Sequence, residues 1–107
     1  LKGMLSFIQQ HFCEHMTVAD IGGAVLISES ECMRCFNSTM GTSPIQYLKH
    51  LRIQHSAELL AATSDKVIDI ALNCGFLDVS YYIKSFRQVY GRTPEEYRKK
   101  KASEIYC

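Results

Sequence analysis

Two short runs of side chains carry groups that can meet the base edges and phosphates of a nucleic acid. In the later run, Ser80, Tyr81, Lys84 and Arg87 recur at intervals of three and four residues. On a helix that spacing puts a hydroxyl, a phenol, an ammonium and a guanidinium on one face. Lysine bonds guanine O6 or N7, serine bonds several base edges, and arginine can meet a base edge or a phosphate. The earlier run sets out Ser30, Glu31, Met33, Arg34 and Asn37 in the same way, with Ser28 and Asn37 as phosphate candidates. Arg34 has the strongest chemistry there, because its planar fork pairs bidentately with guanine. Met33 can lie against a thymine methyl, and Glu31 can accept from cytosine N4. A solvated surface is the plain alternative for each of these side chains, and Glu31 then only repels phosphates.

Other constellations are weaker. Cys32-x-x-Cys35 has the spacing of a metal or redox pair, but no second pair follows at zinc-finger distance, and its helical phase turns it inward. His11 and His15 stand four apart without a third ligand. Glycine-rich phosphate loops, nucleophile elbows and paired-acid motifs are all missing, which disfavours an enzyme. No catalytic residue, cofactor or metal site is expected.

The elements that position these groups read as helices throughout. Leu1, Leu5, Ile8 and Phe12 recur on one face of a first helix that fades near Glu14 and His15. Thr17 with Asp20 forms an N-cap with an acid three residues on, ahead of a short helix through Ile21 to about Val25. Ser28 caps a third helix, with Glu29 and Glu31 in its first turn, and this one runs to Met40 before Gly41. Its buried face is expected to be Cys32, Cys35, Phe36 and Met40. Ser43-Pro44 opens the clearest helix, which continues to about Ala62 and spans roughly 28 Å at 1.5 Å per residue. A short helix from about Val67 to Asn73 ends at Gly75. Asp78 caps another from Val79 to Tyr90, with Val79, Tyr82, Ile83, Phe86 and Tyr90 as its apolar face, stopped by Gly91. Thr93-Pro94 starts the last, which is expected to dissolve into a basic tail.

One arrangement occurs twice. A short helix, a tight turn and a longer helix ending in glycine lie at 18–41 and again at 67–91, each followed by Ser/Thr-Pro and a further helix. The interval from Phe36 to Pro44 equals that from Phe86 to Pro94. The expected fold is therefore all-α: a seven-helix tandem helix-turn-helix, homeodomain-like, with a long central linker helix. Its divisions are 1–42 (first subdomain), 43–63 (linker helix), 64–101 (second subdomain) and 102–107 (tail). Two recognition helices about 34 Å apart can read successive major-groove turns of double-stranded DNA.

A further set of residues is more specific. Asp69-Ile70-Ala71, Gly75-Phe76, Asp78-Val79-Ser80-Tyr81-Tyr82, Phe86-Arg87 and Gly91-Arg92-Thr93-Pro94 with Tyr97-Arg98 together resemble the signature of the AraC/XylS family of bacterial transcription regulators. Leu48, Arg52, Ala57 and Leu60 add the pattern that the family shows along its linker helix. The resemblance covers residues 4 to 100. It implies sequence-specific DNA binding, with helices near 29–40 and 79–90 in adjacent major grooves. Ser80, Tyr81 and Lys84 would then face bases, and Arg87 a phosphate. It also implies RNA polymerase as a partner through the parent protein, and a small-molecule effector only through a domain outside these residues. Two departures stand out: Gly22-Gly23 replaces the usual alanine of the first unit's opening helix, and Leu26 occupies its turn.

Charge and composition narrow the alternatives. The chain has 107 residues and a net charge of +1. Its first 42 residues are net −2 (Lys2 and Arg34 against Glu14, Asp20, Glu29 and Glu31). Residues 66–101 are net +4, so attraction for phosphates is concentrated in the second half, and it is expected to bind more strongly. The weak overall basicity keeps open a helical protein-interaction module with little or no DNA binding. Five cysteines, an odd count, suit reduced thiols in a cytoplasm. No apolar run approaches membrane-spanning length, so no membrane partner is expected. A start at leucine, directly in a helical pattern and too polar for a signal peptide, reads as a piece of a longer chain.

Overall fold

Capping chemistry sets most of the helix boundaries. The computed structural model describes the backbone of residues 1–106 and the side chains of residues 1–103. Cys107, the fifth thiol and the end of the expected 102–107 tail, lies outside the described residues. Seven helices and no strand are found among those described: α1 (Lys2–His11), α2 (Val18–Ala24), α3 (Glu29–Met40), α4 (Pro44–Ala62), α5 (Val67–Asn73), α6 (Val79–Tyr90) and α7 (Pro94–Tyr106).

Thr17 and Asp20 close a reciprocal capping box on α2: the Asp20 amide donates to Thr17 Oγ1 at 3.2 Å, and the Thr17 amide to Asp20 Oδ2 at 2.9 Å. Thr93 and Glu96 do the same for α7, at 3.2 and 2.8 Å. These amide bonds hold the carboxyls of Asp20 and Glu96 below their ordinary values. Ser28 and Asp78 cap α3 and α6, and Gly41 and Gly91 end those helices in the left-handed conformation. Rather than dissolving after the lysine run, α7 continues to Tyr106.

The chain divides into two compact units, Leu1–Leu51 and Arg52–Cys107, with the boundary inside α4. In the first, α1 packs on α2 and α2 on α3. Its core is Met4, Ile8, Met16, Ile21, Cys32, Phe36 and Leu48. Met4 lies deeper than the Leu1 and Leu5 of the expected stripe, which are half-buried beside it. Met40, expected inside, is exposed at the helix end.

The second unit encloses Ile53, Ala57, Leu60, Ile70, Ala71, Cys74, Phe76, Tyr82 and Phe86. It is the more aromatic of the two. Phe86 packs on Tyr90 at 4.8 Å and on Tyr97 at 5.3 Å, and Tyr82 on Phe76 at 5.0 Å between ring centroids. Contacts of this kind add about 0.5–1.5 kcal/mol each beyond the area they bury. Arg98 ties α7 to the end of α4, donating from Nε to the Leu60 carbonyl at 3.1 Å. That bond occupies one of the carbonyls a helix leaves open at its C-terminus.

The two turns share a hydrogen-bond register. Leu26 N donates to Gly23 O and Ile27 N to Gly22 O, as Gly75 N does to Leu72 O and Phe76 N to Ala71 O. Gly22 is thus the counterpart of Ala71, and Leu26 that of Gly75. Only Ile27 separates Leu26 from its helix cap Ser28, whereas Phe76 and Leu77 separate Gly75 from Asp78. The first turn is one residue shorter. A Cβ on Gly22 would meet the Ile27 carbonyl oxygen at 2.8 Å and that of Ser28 at 3.3 Å. The glycine that looks like a plain loss of helix propensity is therefore what lets the tighter turn close over α2. Gly23 has open space around it. Leu26 sits at φ 60°, 92% exposed, in a conformation that costs a non-glycine residue about 1–2 kcal/mol.

Candidate nucleic-acid interface

α3 and α6 each bury one face and leave the other to solvent. On α6, Tyr82, Ser85 and Phe86 are buried and Val79, Ile83 and Tyr90 are partly so. Ser80, Tyr81, Lys84 and Arg87 are exposed. The Ser80 and Tyr81 amides donate to Asp78 Oδ1 at 2.9 and 3.3 Å, which fixes the first turn that carries these side chains. Tyr81 stands with its ring 6.4 Å from that of Phe76, so its phenol projects from a braced base. A shallow groove runs along Ser80, Ile83, Lys84, Arg87, Gln88 and Thr93. Gln88 and Thr93 were not among the candidates from sequence. Gln88 lies one turn beyond Lys84, a spacing that could have flagged it; Thr93 reaches the groove only through the fold.

On α3, Cys32 and Phe36 are buried, and Ser30, Glu31, Met33, Arg34 and Asn37 are exposed. Four of the candidates, Ser28, Glu31, Arg34 and Asn37, already have partners within this helix or its cap. Asn37 Nδ2 donates to the Met33 carbonyl at 2.8 Å, and Ser28 Oγ accepts from the Glu31 amide at 3.2 Å. Arg34 Nη2 donates to Glu31 Oε1 at 2.9 Å, with both side chains largely in solvent. Cys32 points inward, its thiol donating to Met4 Sδ at 3.5 Å, and burial pushes that thiol up from its ordinary value. Cys35 is half-buried beside the same core. His11 Nδ1 meets Glu14 Oε2 at 2.6 Å.

The basic charge of the second half is not all available at the surface. Arg98 is half-buried on the Leu60 carbonyl, and Lys101 lies over the Tyr97 ring at 5.7 Å. Arg92 is half-buried, and Lys66, Lys84, Arg87, Lys99 and Lys100 remain exposed. The described residues contain no group of three or more His, Cys, Asp or Glu that could hold a metal ion, and no helix long and apolar enough to cross a membrane.

Comparison with known proteins bears on this geometry. Residues 21–100 match a family model described as a helix-turn-helix domain. The chain is 36% identical over 99 residues to an uncharacterized HTH-type transcriptional regulator, YdeC, of Bacillus subtilis, covering 92% of this chain and 34% of that protein. It is 32% identical over 98 residues to the lactose operon transcription activator of Staphylococcus xylosus, covering 92% of this chain and 35% of that one. It thus spans about a third of the length of these curated relatives. Among solved structures, a transcriptional regulator of the AraC-type DNA-binding class from Chromobacterium violaceum superposes with a TM-score of 0.88 at 29% identity, covering 95% of this chain and 91% of the other. The DNA-binding domain of AdpA, solved in complex with a target DNA, gives 0.89 at 25% identity, with 94% and 91% covered.

Proposed function

Since the chain belongs to the AraC/XylS family of helix-turn-helix transcription regulators, we propose that it binds double-stranded DNA sequence-specifically, with α3 and α6 each entering a major groove. The observation that carries this reading is the repeated division of faces. Both helices hold an aromatic anchor in a core (Phe36, Phe86) and turn hydroxyl, amide and cationic groups outward at groove-reading spacing. Arg34 reads guanine from α3, and Ser80, Tyr81 and Lys84 read bases from α6. Arg87, Asn37 and Ser28 bond phosphates, which set register rather than sequence. Within the parent protein the domain acts in the cytoplasm alongside RNA polymerase, and any small-molecule effector binds a domain outside these residues.

Titration of the chain with mixed duplex DNA tests this. Binding should weaken at least tenfold between roughly 50 and 200 mM salt if several phosphates are neutralised. Selection from a random duplex pool should return a defined site. Binding that is absent or indifferent to salt removes the proposal. It would favour the second reading, a helical protein-interaction module, for which the specific observation is an outward apolar row: Ile68 and Leu72 are each 50% exposed on α5, and Leu77 is 89% exposed in the turn that follows.

A further inference from the structure

Three places in the chain have a Ser or Thr followed three residues later by an acid: Thr17 with Asp20, Ser28 with Glu31, and Thr93 with Glu96. At the first and third, the carboxylate returns to the amide of the capping residue and closes the box. At the second it does not. Ser28 still accepts from the Glu31 amide, but the Glu31 carboxylate turns outward and takes Arg34 Nη2 at 2.9 Å. With the two side chains 55% and 71% exposed, the pair adds little to the stability of the helix. It occupies the outward face of α3. The counterparts on α6, fifty residues on, are Tyr81 and Lys84, with no carboxylate between them.

On the footing of the DNA-binding reading above, we infer that Glu31 is a positioning and selectivity residue that holds Arg34 for guanine and withholds it from phosphates. A guanidinium has five N–H donors. One is spent on Glu31, and the remaining four still allow a bidentate pair with guanine O6 and N7. Holding the long side chain beforehand reduces the ordering cost on binding. The carboxylate also cancels the charge that would draw α3 to any phosphate, so the first unit contributes to choice of site more than to general affinity.

The test uses the whole chain as wild type, E31A, E31Q, R34A and the E31A/R34A double variant. Each is titrated with the selected duplex, with the same duplex carrying A·T at the G·C pair whose preference R34A relaxes, and with mixed duplex. E31A should tighten binding to mixed duplex several-fold and lower the G·C preference at that pair by a few-fold, the scale of an exposed ion pair and less than the loss in R34A, which removes the whole bidentate contact. E31Q, which keeps an acceptor but not the charge, should also bind mixed duplex more tightly while retaining most of the preference. In the R34A background, E31A should cause no further loss of preference. The inference is overturned if E31A leaves the preference at that pair intact, or lowers it by the same factor with and without Arg34. If R34A itself relaxes no preference, base reading by Arg34 is what fails, and the role of Glu31 falls with it. A wild-type chain without salt-sensitive binding overturns the DNA reading as a whole.

Discussion

Tyr82 places a phenol at the centre of the second unit. Its hydroxyl is fully buried, with no hydrogen-bond partner in good geometry. Burial is the main cause that pushes its pKa up to about 12; the nearby Ser56 hydroxyl, itself donated to the Ile53 carbonyl, offsets part of this. The ordinary value is 10.0, so the folded state favours the neutral phenol. Its contribution is therefore intact below pH 10 and lost as pH rises from there through about 12. Tyr82→Phe should remove that alkaline loss. Near neutral pH it should be neutral or stabilising by about 1 kcal/mol, since an unpaired buried hydroxyl costs that order. Thermal midpoints of the two proteins at pH 7 and pH 11 check this, and an equal alkaline fall in both would refute it. Ser85, also buried, shows where residue-level reading falls short. Its type says surface, yet it lies between Tyr82 and Phe86 in the helical phase that faces the core.

At the scale of the elements, local chemistry decided most of what could be read in advance. Ser28 and Gly41 bracket α3, Asp78 and Gly91 bracket α6, and Ser43-Pro44 opens α4, all from residues acting within one turn. What depends on three-dimensional neighbours was less legible. Met4 outranks Leu1 and Leu5 in the core because α1 meets α2 along the phase of Met4 and Ile8, and the outward swing of the Glu31 carboxylate has no mark in sequence distinguishing it from the two closed boxes. The helix propensity of Gly22 likewise says nothing of the Ile27 carbonyl above it. Three substitutions separate these effects. Gly23→Ala should stabilise by up to about 1 kcal/mol, because the site is open. Gly22→Ala should cost about 1–3 kcal/mol, the usual range for overpacking. Leu26→Gly should gain up to about 1 kcal/mol by relieving the left-handed backbone, less what glycine adds to the unfolded chain. Chemical denaturation measures all three, and a stabilising Gly22→Ala would show that the turn gives way freely.

Across the whole molecule the two units are copies in plan and unequal in construction. The first has a strained turn residue, three helix glycines and a core aromatic pair, Phe36 with Tyr47 at 5.4 Å. The second has a continuous row of aromatic contacts and the Arg98 tie. Hydrogen exchange should therefore find the amides of α2 and α3 at least about tenfold less protected than those of α5 and α6 in the free chain, and should show the larger gain in the first unit when duplex is added. Equal protection in the two units would contradict this asymmetry. The shorter first turn also constrains how this chain can change by descent. Alanine at position 22 is costly while the turn keeps its length, and a residue inserted after Leu26, giving the first turn the length of the second, should relieve that cost. Each change is a handicap or a gain only in the presence of the other, so the two halves of a duplicated domain can no longer exchange substitutions one at a time.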